Sequence, residues 1–316
     1  MTPSINSSMG TREWLMLVVL SILWGGSFFF VGIAVSELEP LTIVTFRVGL
    51  AAITLWVVIG VMRIPLPPIG IAWKAFLFMG VLNNVIPFTL IVWGQTFIAS
   101  GLASILNATT PFFGVIVATL FLPDERATPL KIFGVILGFL GVVLMFGAPT
   151  VSSDTLAQIA ILAAAIAYAF AGVYGRKFKT MNINPIVTAA GQVSGATIIL
   201  IPLTYIVEGT PSISDIMHQT WLSLAALAIF STAIAYILYF KILEKAGATN
   251  LLLVTLLVPI SAILLGSVFL GENLETSHIV GMIIIALGLS AIDGRLWKRK
   301  AKKSLESPDD ELERDH

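Results

Sequence analysis

The sequence predicts an all-α polytopic membrane protein, with ten transmembrane helices in a five-plus-five inverted repeat. Three observations predict it. Of the 316 residues, 57% are hydrophobic and only 11% charged, against the ~25% charged residues usual in a soluble domain; mean hydropathy is +0.96. Apolar runs long enough to cross a bilayer recur ten times. When those runs are threaded in order, every Lys and Arg of the 18 except Arg47 falls on one side.

The runs cover 13–35, 40–62, 73–94, 101–122, 129–147, 155–177, 184–207, 219–241, 248–270 and 277–296, most close to the ~20 residues that a crossing needs. Pro40, Pro129 and Pro185 stand near helix starts, where the missing N–H has no helical partner to lose. Stretches such as IPLPPIG (64–70) and EGTPSISD (208–215) punctuate the runs. The basic side holds Arg63, Lys74, Arg176, Lys177 and the run RLWKRKAKK (295–303), while the opposite loops carry Glu37, Glu39, Asp154, Glu208, Asp215, Glu272 and Glu275. By the positive-inside rule the basic side is cytoplasmic. The expectation is a multi-pass protein of a bacterial plasma (inner) membrane with both termini in the cytoplasm. Ala34-Val35-Ser36 has the look of a signal-peptidase site, but the preceding run is too long for a signal peptide, so cleavage is not expected. Trp14, Trp73 and Trp297 lie at run ends and read as interfacial belt residues.

Landmarks recur along the chain. Pro40 is matched by Pro185, Trp73 by Trp221, Pro111 by Pro259, Glu125 by Glu272, and Gly134 and Gly141 by Gly281 and Gly288, at offsets of 145 to 148 residues. Five crossings is an odd number, so the second copy enters from the opposite side. Inverted repeats of this kind let two halves rock about a shared midplane site. The organisation is a cytoplasmic start (1–12), a first repeat (13–147), a second repeat (155–296) and a basic, then acidic, cytoplasmic tail (297–316). Gly134, Gly138, Gly281 and Gly288 are assigned to close helix packing.

ILWGGSFFFVGIAV (22–35), FRVGLAA (46–52), ASILNATTPFFGVIVATLFLPDE (103–125) and its echo TNLLLVTLLVPISAILLGSVFLGE (249–272) resemble the EamA branch of the drug/metabolite transporter superfamily. The resemblance runs from about residue 12 to 296. It implies a central substrate cavity lined by helices 1, 3, 4, 6, 8 and 9, with helices 5 and 10 peripheral, and export of amino acids or other small metabolites by alternating access. Where the second half has Gly271-Glu272, the first has Pro123-Asp124-Glu125, a departure from the commoner Gly-Glu.

A transporter site needs a few polar groups on inward faces and aromatics to enclose apolar parts. Helix 3 offers Asn83 and Asn84, with Phe88 on the face of Asn84; the repeat matches Asn84 and Phe88 with Thr232 and Tyr236 on helix 8. Helix 4 places Ser104, Asn107 and Pro111 along one stripe, answered by Thr255 and Pro259 on helix 9. The prolines are expected to leave backbone carbonyls free near Asn107 and Thr255. Trp24 and Phe28 on helix 1 and Tyr168 on helix 6 are placed to sandwich an apolar or aromatic substrate. Each of these residues also has a plain packing reading. Substrate binding is assigned to Trp24, Phe28, Asn83, Asn84, Asn107, Tyr168, Thr232, Tyr236 and Thr255. A structural or gating role goes to Arg47, Pro111, Gln192 and Pro259.

No Asp or Glu falls in the middle of a run, the histidines lie in loops or the tail, and cysteine is absent. Without an intramembrane carboxylate or histidine to carry protons, exchange or facilitated export is expected. No P-loop occurs, no Ser/His or paired-Asp constellation supports an enzyme, and no metal or cofactor is called for. The expected partners are a small-molecule substrate and the lipid bilayer, with a homodimer open and no nucleic acid. The alternative is a non-transporting sensor or assembly factor on the same fold, or an integral-membrane enzyme. Arg47 is the one charge that the topology does not explain. About 10 Å below the outer end of helix 2, at ~1.5 Å per residue, it is expected to snorkel towards Glu37 and Glu39 or tie helix 2 to nearby carbonyls. Binding a substrate carboxylate is the alternative. Its repeat partner is the uncharged Gln192.

Overall fold

The computed structural model describes residues 10–68, 70–123, 127–146, 153–210, 216–251 and 253–293; Glu125 and the tail with Trp297 lie outside them. Helix α1 spans Thr11–Ala34 and α2 spans Pro40–Met62. Helix α3, Ile71–Gly94, contains a π-turn at Val81–Val85. Helix α4 comes in two pieces, Ser100–Asn107 and Thr110–Phe121; α5 is Pro129–Phe146, α6 Ser153–Thr180 and α7 Pro185–Val207. Helix α8 runs through His218–Ala228, a π-turn at Ile229–Ile234, and Ala235–Leu251; α9 is Val254–Phe269 and α10 Thr276–Asp293. This is a ten-helix polytopic membrane protein, and Pro40, Pro129 and Pro185 each open a helix, as expected.

One boundary differs from the sequence expectation. Helical backbone continues through 242–247, read above as a loop, to Leu251, and the next helix begins at Val254. The stretch ILEKAGATNL holds no proline, and its Leu, Glu, Lys and Ala are strong helix formers that carry the helix past Gly247. The break matches the one in α4, where Ala108 and Thr109 separate its two pieces.

The helix contacts carry the repeat. The α1–α9 contact has its counterpart in α6–α4, α3–α6 in α8–α1, and α3–α7 in α8–α2, while α2–α7 and α5–α10 map onto themselves. Exchanging the two halves therefore returns the principal helix contacts, though α1–α4 and α4–α5 contacts have no counterpart of similar size. Lipid supplies no hydrophobic drive for helix association, so small residues that admit close backbones set these contacts. A Cβ on Gly134 would stand 2.6 Å from the Gly288 carbonyl oxygen, and one on Gly141 2.8 Å from that of Gly281. A Cβ on Gly80 in α3 would stand 2.5 Å from the Gln192 carbonyl oxygen of α7. The first repeat's Trp73 is no belt residue: it stacks on Trp56 with centroids 6.1 Å apart and meets Phe76 edge-on. Trp14 is 46% exposed, as a belt residue is expected to be.

The loops at the acidic end bind the two halves together. Glu208, at the end of α7, accepts from the backbone N–H groups of Leu41 and Thr42 at 2.7 and 2.8 Å and from the Thr42 hydroxyl at 2.8 Å. Glu272 accepts from Ser100 and Gly101 at the start of α4, at 2.9 and 3.2 Å. Glu37 accepts from Met217, just before α8, at 3.1 Å. Each carboxylate fills the orphan donors at a helix N-terminus, where charge and dipole add. Each also crosses from one repeat to the other. Gly271, at φ +67°, makes the left-handed turn that a side chain disfavours and swings Glu272 back over Gly266. The Gly-Glu pair thus acts as a turn and a cap.

Candidate functional site

Midway along the bundle, α2, α3, α7 and α8 bring their polar side chains to one place. Arg47 of α2 is 6% exposed. Its Nε donates to Thr232 Oγ1 at 3.1 Å, and its guanidinium carbon lies 3.6 Å from the centre of the Phe88 ring. A cation over a desolvated aromatic face is stabilised by about 2 kcal/mol. Asn83 Nδ2 donates to Gln192 Oε1 at 3.1 Å and to the Tyr236 hydroxyl at 3.2 Å, and Asn84 Nδ2 donates to the same hydroxyl at 3.2 Å.

The π-turns make this possible. Adjacent residues of a regular helix point about 100° apart, so Asn83 and Asn84 would not normally address one atom. The wider turn at Val81–Val85 lets them. In α8 the equivalent turn leaves the Leu227 carbonyl to the Thr232 hydroxyl, which donates to it at 2.9 Å. Single π-turns inside α-helices recur at functional sites. The arrangement is pseudo-symmetric: Arg47 of α2 reaches the α8 turn, and Gln192 of α7 reaches the α3 turn. The cluster is not closed on itself. Asn84 Oδ1 and Ser231 Oγ are buried without a donor or acceptor. Tyr168 of α6 packs against the hydrophobic clusters on both sides, near enough to feel the Arg47 charge.

A chain of ten helices with a two-fold contact map and a polar cluster at its centre has known counterparts. The profile of the EamA-like transporter family matches residues 12–147 and again 155–292. The chain belongs to this family. It is similar to the uncharacterized transporter YoaV of Bacillus subtilis (strain 168), with 24% identity, covering 88% of this chain and 95% of YoaV. It is likewise similar to the uncharacterized inner membrane transporter YedA of Escherichia coli (strain K12), with 25% identity over 90% and 92% of the two chains. Protein PecM of Dickeya dadantii (strain 3937) is 24% identical over 91% of this chain and 95% of its own. One solved crystal structure superimposes with a TM-score of 0.65 at 20% identity, covering 95% of this chain and 100% of the other; that likeness bears on the fold alone. The protein is a membrane transporter and not an enzyme.

In this EamA-like transporter the expected site residues divide into two groups. Asn83, Asn84, Thr232, Tyr236, Arg47 and Gln192 come together as described, with Tyr168 beside them. The others stand apart. Phe28 is 5% exposed and packed in the core, where its carbonyl accepts from Gln95 Nε2 and Ser100 Oγ. Trp24 meets Tyr239, with centroids 5.6 Å apart, rather than pairing with Phe28 or Tyr168. Asn107 keeps a buried Oδ1 without a donor. Its carbonyl is not free, because the Thr110 hydroxyl donates to it at 2.7 Å; the hydroxyl takes over what Pro111 gives up. Ser104 turns back to the Gly101 carbonyl. Thr255 and Pro259 lie on α9, which packs chiefly against α1 and the first piece of α4.

The sequence reading missed Tyr239. It sits three residues beyond Tyr236, on the same helix face, and that spacing was the available signal. The snorkelling of Arg47 is also corrected: it donates to Thr232, and the Glu37 carboxylate caps α8. A separate cleft of about 600 Å³ opens at the acidic end, lined by Glu39, Leu41, Thr89, Trp93 and Glu208. Thr89 follows Phe88 about 100° round the helix, and the lining includes neither Phe88 nor Arg47.

Proposed function

We propose that this protein is a secondary transporter that exports small neutral or zwitterionic metabolites, such as amino acids, by alternating access. The observation that carries the reading is the polar and aromatic cluster at the midplane, built from both repeats and left with unsatisfied hydrogen-bonding capacity. Polar groups at this depth are expensive and serve function by default. The charge bias of the loops supports an orientation with the basic end in the cytoplasm.

Counterflow into liposomes, with neutral and aromatic amino acids offered in turn, tests the reading. Saturable exchange is expected. In the same assay Asn84→Ala is expected to raise KM roughly tenfold, about 1.4 kcal/mol, because it strips the Tyr236 hydroxyl of a donor at a fully buried position. Asn107→Ala, outside the cluster, should leave KM near wild type; equal effects of the two would remove the cluster from the pathway. A second expectation concerns coupling. Among the described residues no Asp or Glu lies mid-helix in the membrane, so exchange should proceed at the same rate when a proton gradient across the liposome is collapsed with an ionophore. A fall to baseline would place a proton in the cycle.

A further inference from the structure

We propose that Arg47 anchors a carboxylate of the transported solute, so that the protein carries acids and zwitterions in preference to uncharged analogues. This rests on the transporter reading above and narrows it. The argument begins with charge. Arg47 lies in the outer third of α2, Pro40–Met62, and no described Asp or Glu lies mid-helix in a membrane-spanning segment. Of the acids at the acidic end, Glu37 caps α8, Glu208 caps α2 and Glu272 caps α4, while Glu39 stays exposed at the start of α2, with no bond to Arg47. A guanidinium 6% exposed therefore stands in the membrane without a counter-ion among the described residues, a condition that buried charges otherwise avoid.

Geometry then says which part of the side chain is open. A guanidinium has five N–H donors in a planar fork. Phe88 covers one face and Thr232 takes the Nε proton. That leaves the edge formed by the two terminal nitrogens, the edge that pairs with a carboxylate through two parallel hydrogen bonds. Those nitrogens donate to no acceptor among the described residues, and they are not among the polar atoms sealed from open space. A structural tie would look different, with the fork spent on helix carbonyls. The repeat partner makes the contrast. Gln192 accepts from Asn83 through its Oε1 and carries no charge, so the cluster is symmetric in position and polar in charge. A zwitterion is then oriented with its acid group towards α2, and the hydroxyl of Tyr168, which bonds to no described residue, stands near that end.

Three probes that share one ring separate the possibilities: phenylalanine, phenylalaninamide and phenethylamine. Ligand-induced thermal stabilisation of the purified full-length protein and counterflow in liposomes are measured for each. Phenylalanine is expected to bind at least tenfold more tightly than the other two. Arg47→Gln is expected to bring phenylalanine down to the amide's level while leaving the amide unchanged. Should that variant not fold, Arg47→Lys, which keeps the charge and loses the fork, should weaken phenylalanine about tenfold with the rank order retained. Wild-type affinity for phenylalanine in either variant overturns the proposal, as does equal binding of all three probes. Silence towards all three and towards benzoate overturns it as well. Carboxylate-selective binding without counterflow sinks the export reading and leaves Arg47 as a carboxylate anchor; equal transport of all three does the reverse.

Discussion

Replacing both Glu208 and Glu272 by glutamine is expected to open the acidic end of the protein. The two carboxylates hold the N-termini of α2 and α4 with five hydrogen bonds, and each bond joins one repeat to the other. Glutamine keeps an acceptor oxygen but loses the charge that makes such bonds strong. Hydrogen bonds to charged groups contribute about 1.5–3 kcal/mol each, and every ~1.4 kcal/mol is tenfold in an equilibrium. Weakening both clasps should therefore move the balance between closed and open acidic ends by about a hundredfold. The chain contains no cysteine, so Asn83→Cys introduces one reporter at the cluster. A membrane-impermeant maleimide added at the acidic end should label it much faster in the double glutamine background than in the parent. The route is the cleft beside Glu208, which already reaches Thr89. Equal labelling rates would show that the clasps do not hold this end shut.

The second large effect concerns Gly80. A single methyl group there meets backbone on the facing helix, 2.5 Å from the Gln192 carbonyl oxygen and 2.8 Å from the Ala196 nitrogen. Backbone cannot step aside as a side-chain end can, so α3 and α7 must separate. Overpacking of this kind costs about 1–3 kcal/mol and occasionally more. The same separation pulls Asn83 away from Gln192. Gly80→Ala is thus expected to lower both the thermal midpoint and the exchange rate. Gly60→Ala, with nothing within 4 Å of the added carbon, should be neutral or slightly stabilising, since alanine is the better helix former. Equal midpoints in the two variants would contradict the close approach of α3 and α7.

Much of this architecture is legible in the sequence because membrane physics leaves few options. A crossing needs a long apolar run, so α1, α2 and α7 are readable almost to the residue. Prolines and glycines at matched offsets carry the repeat, since both are kept for backbone reasons that survive inversion. The same offset sets Asn84 opposite Thr232 and Phe88 opposite Tyr236, and the structure brings all four into one cluster, where Asn84 bonds Tyr236 and Arg47 lies between Thr232 and Phe88. What the sequence hides is long-range. The π-turns are set by what α2 and α7 offer to α8 and α3, and nothing in VLNNV or IFSTAI announces a wider turn. Glu208 and Glu272 read only as a charge bias, because the helix ends they cap lie 167 and 172 residues away. Arg47 misleads for a related reason: Glu37 caps α8, Glu39 stays exposed at the helix start, and Arg47 turns instead to Thr232 and Phe88 on the facing helices.

The return of the principal helix contacts on exchange of the halves has an energetic corollary. If the two repeats were identical, each conformation and its mirror across the midplane would be degenerate, and the molecule would rest facing either side with equal weight. Any resting preference must come from what the symmetry does not share. Among the described residues one such difference lies in the acidic loops, whose carboxylates join the two repeats, whereas Thr128 and Asn184 at the basic end cap only their own helices. The helices then supply the pathway, and a handful of loop carboxylates decide which way it faces when empty.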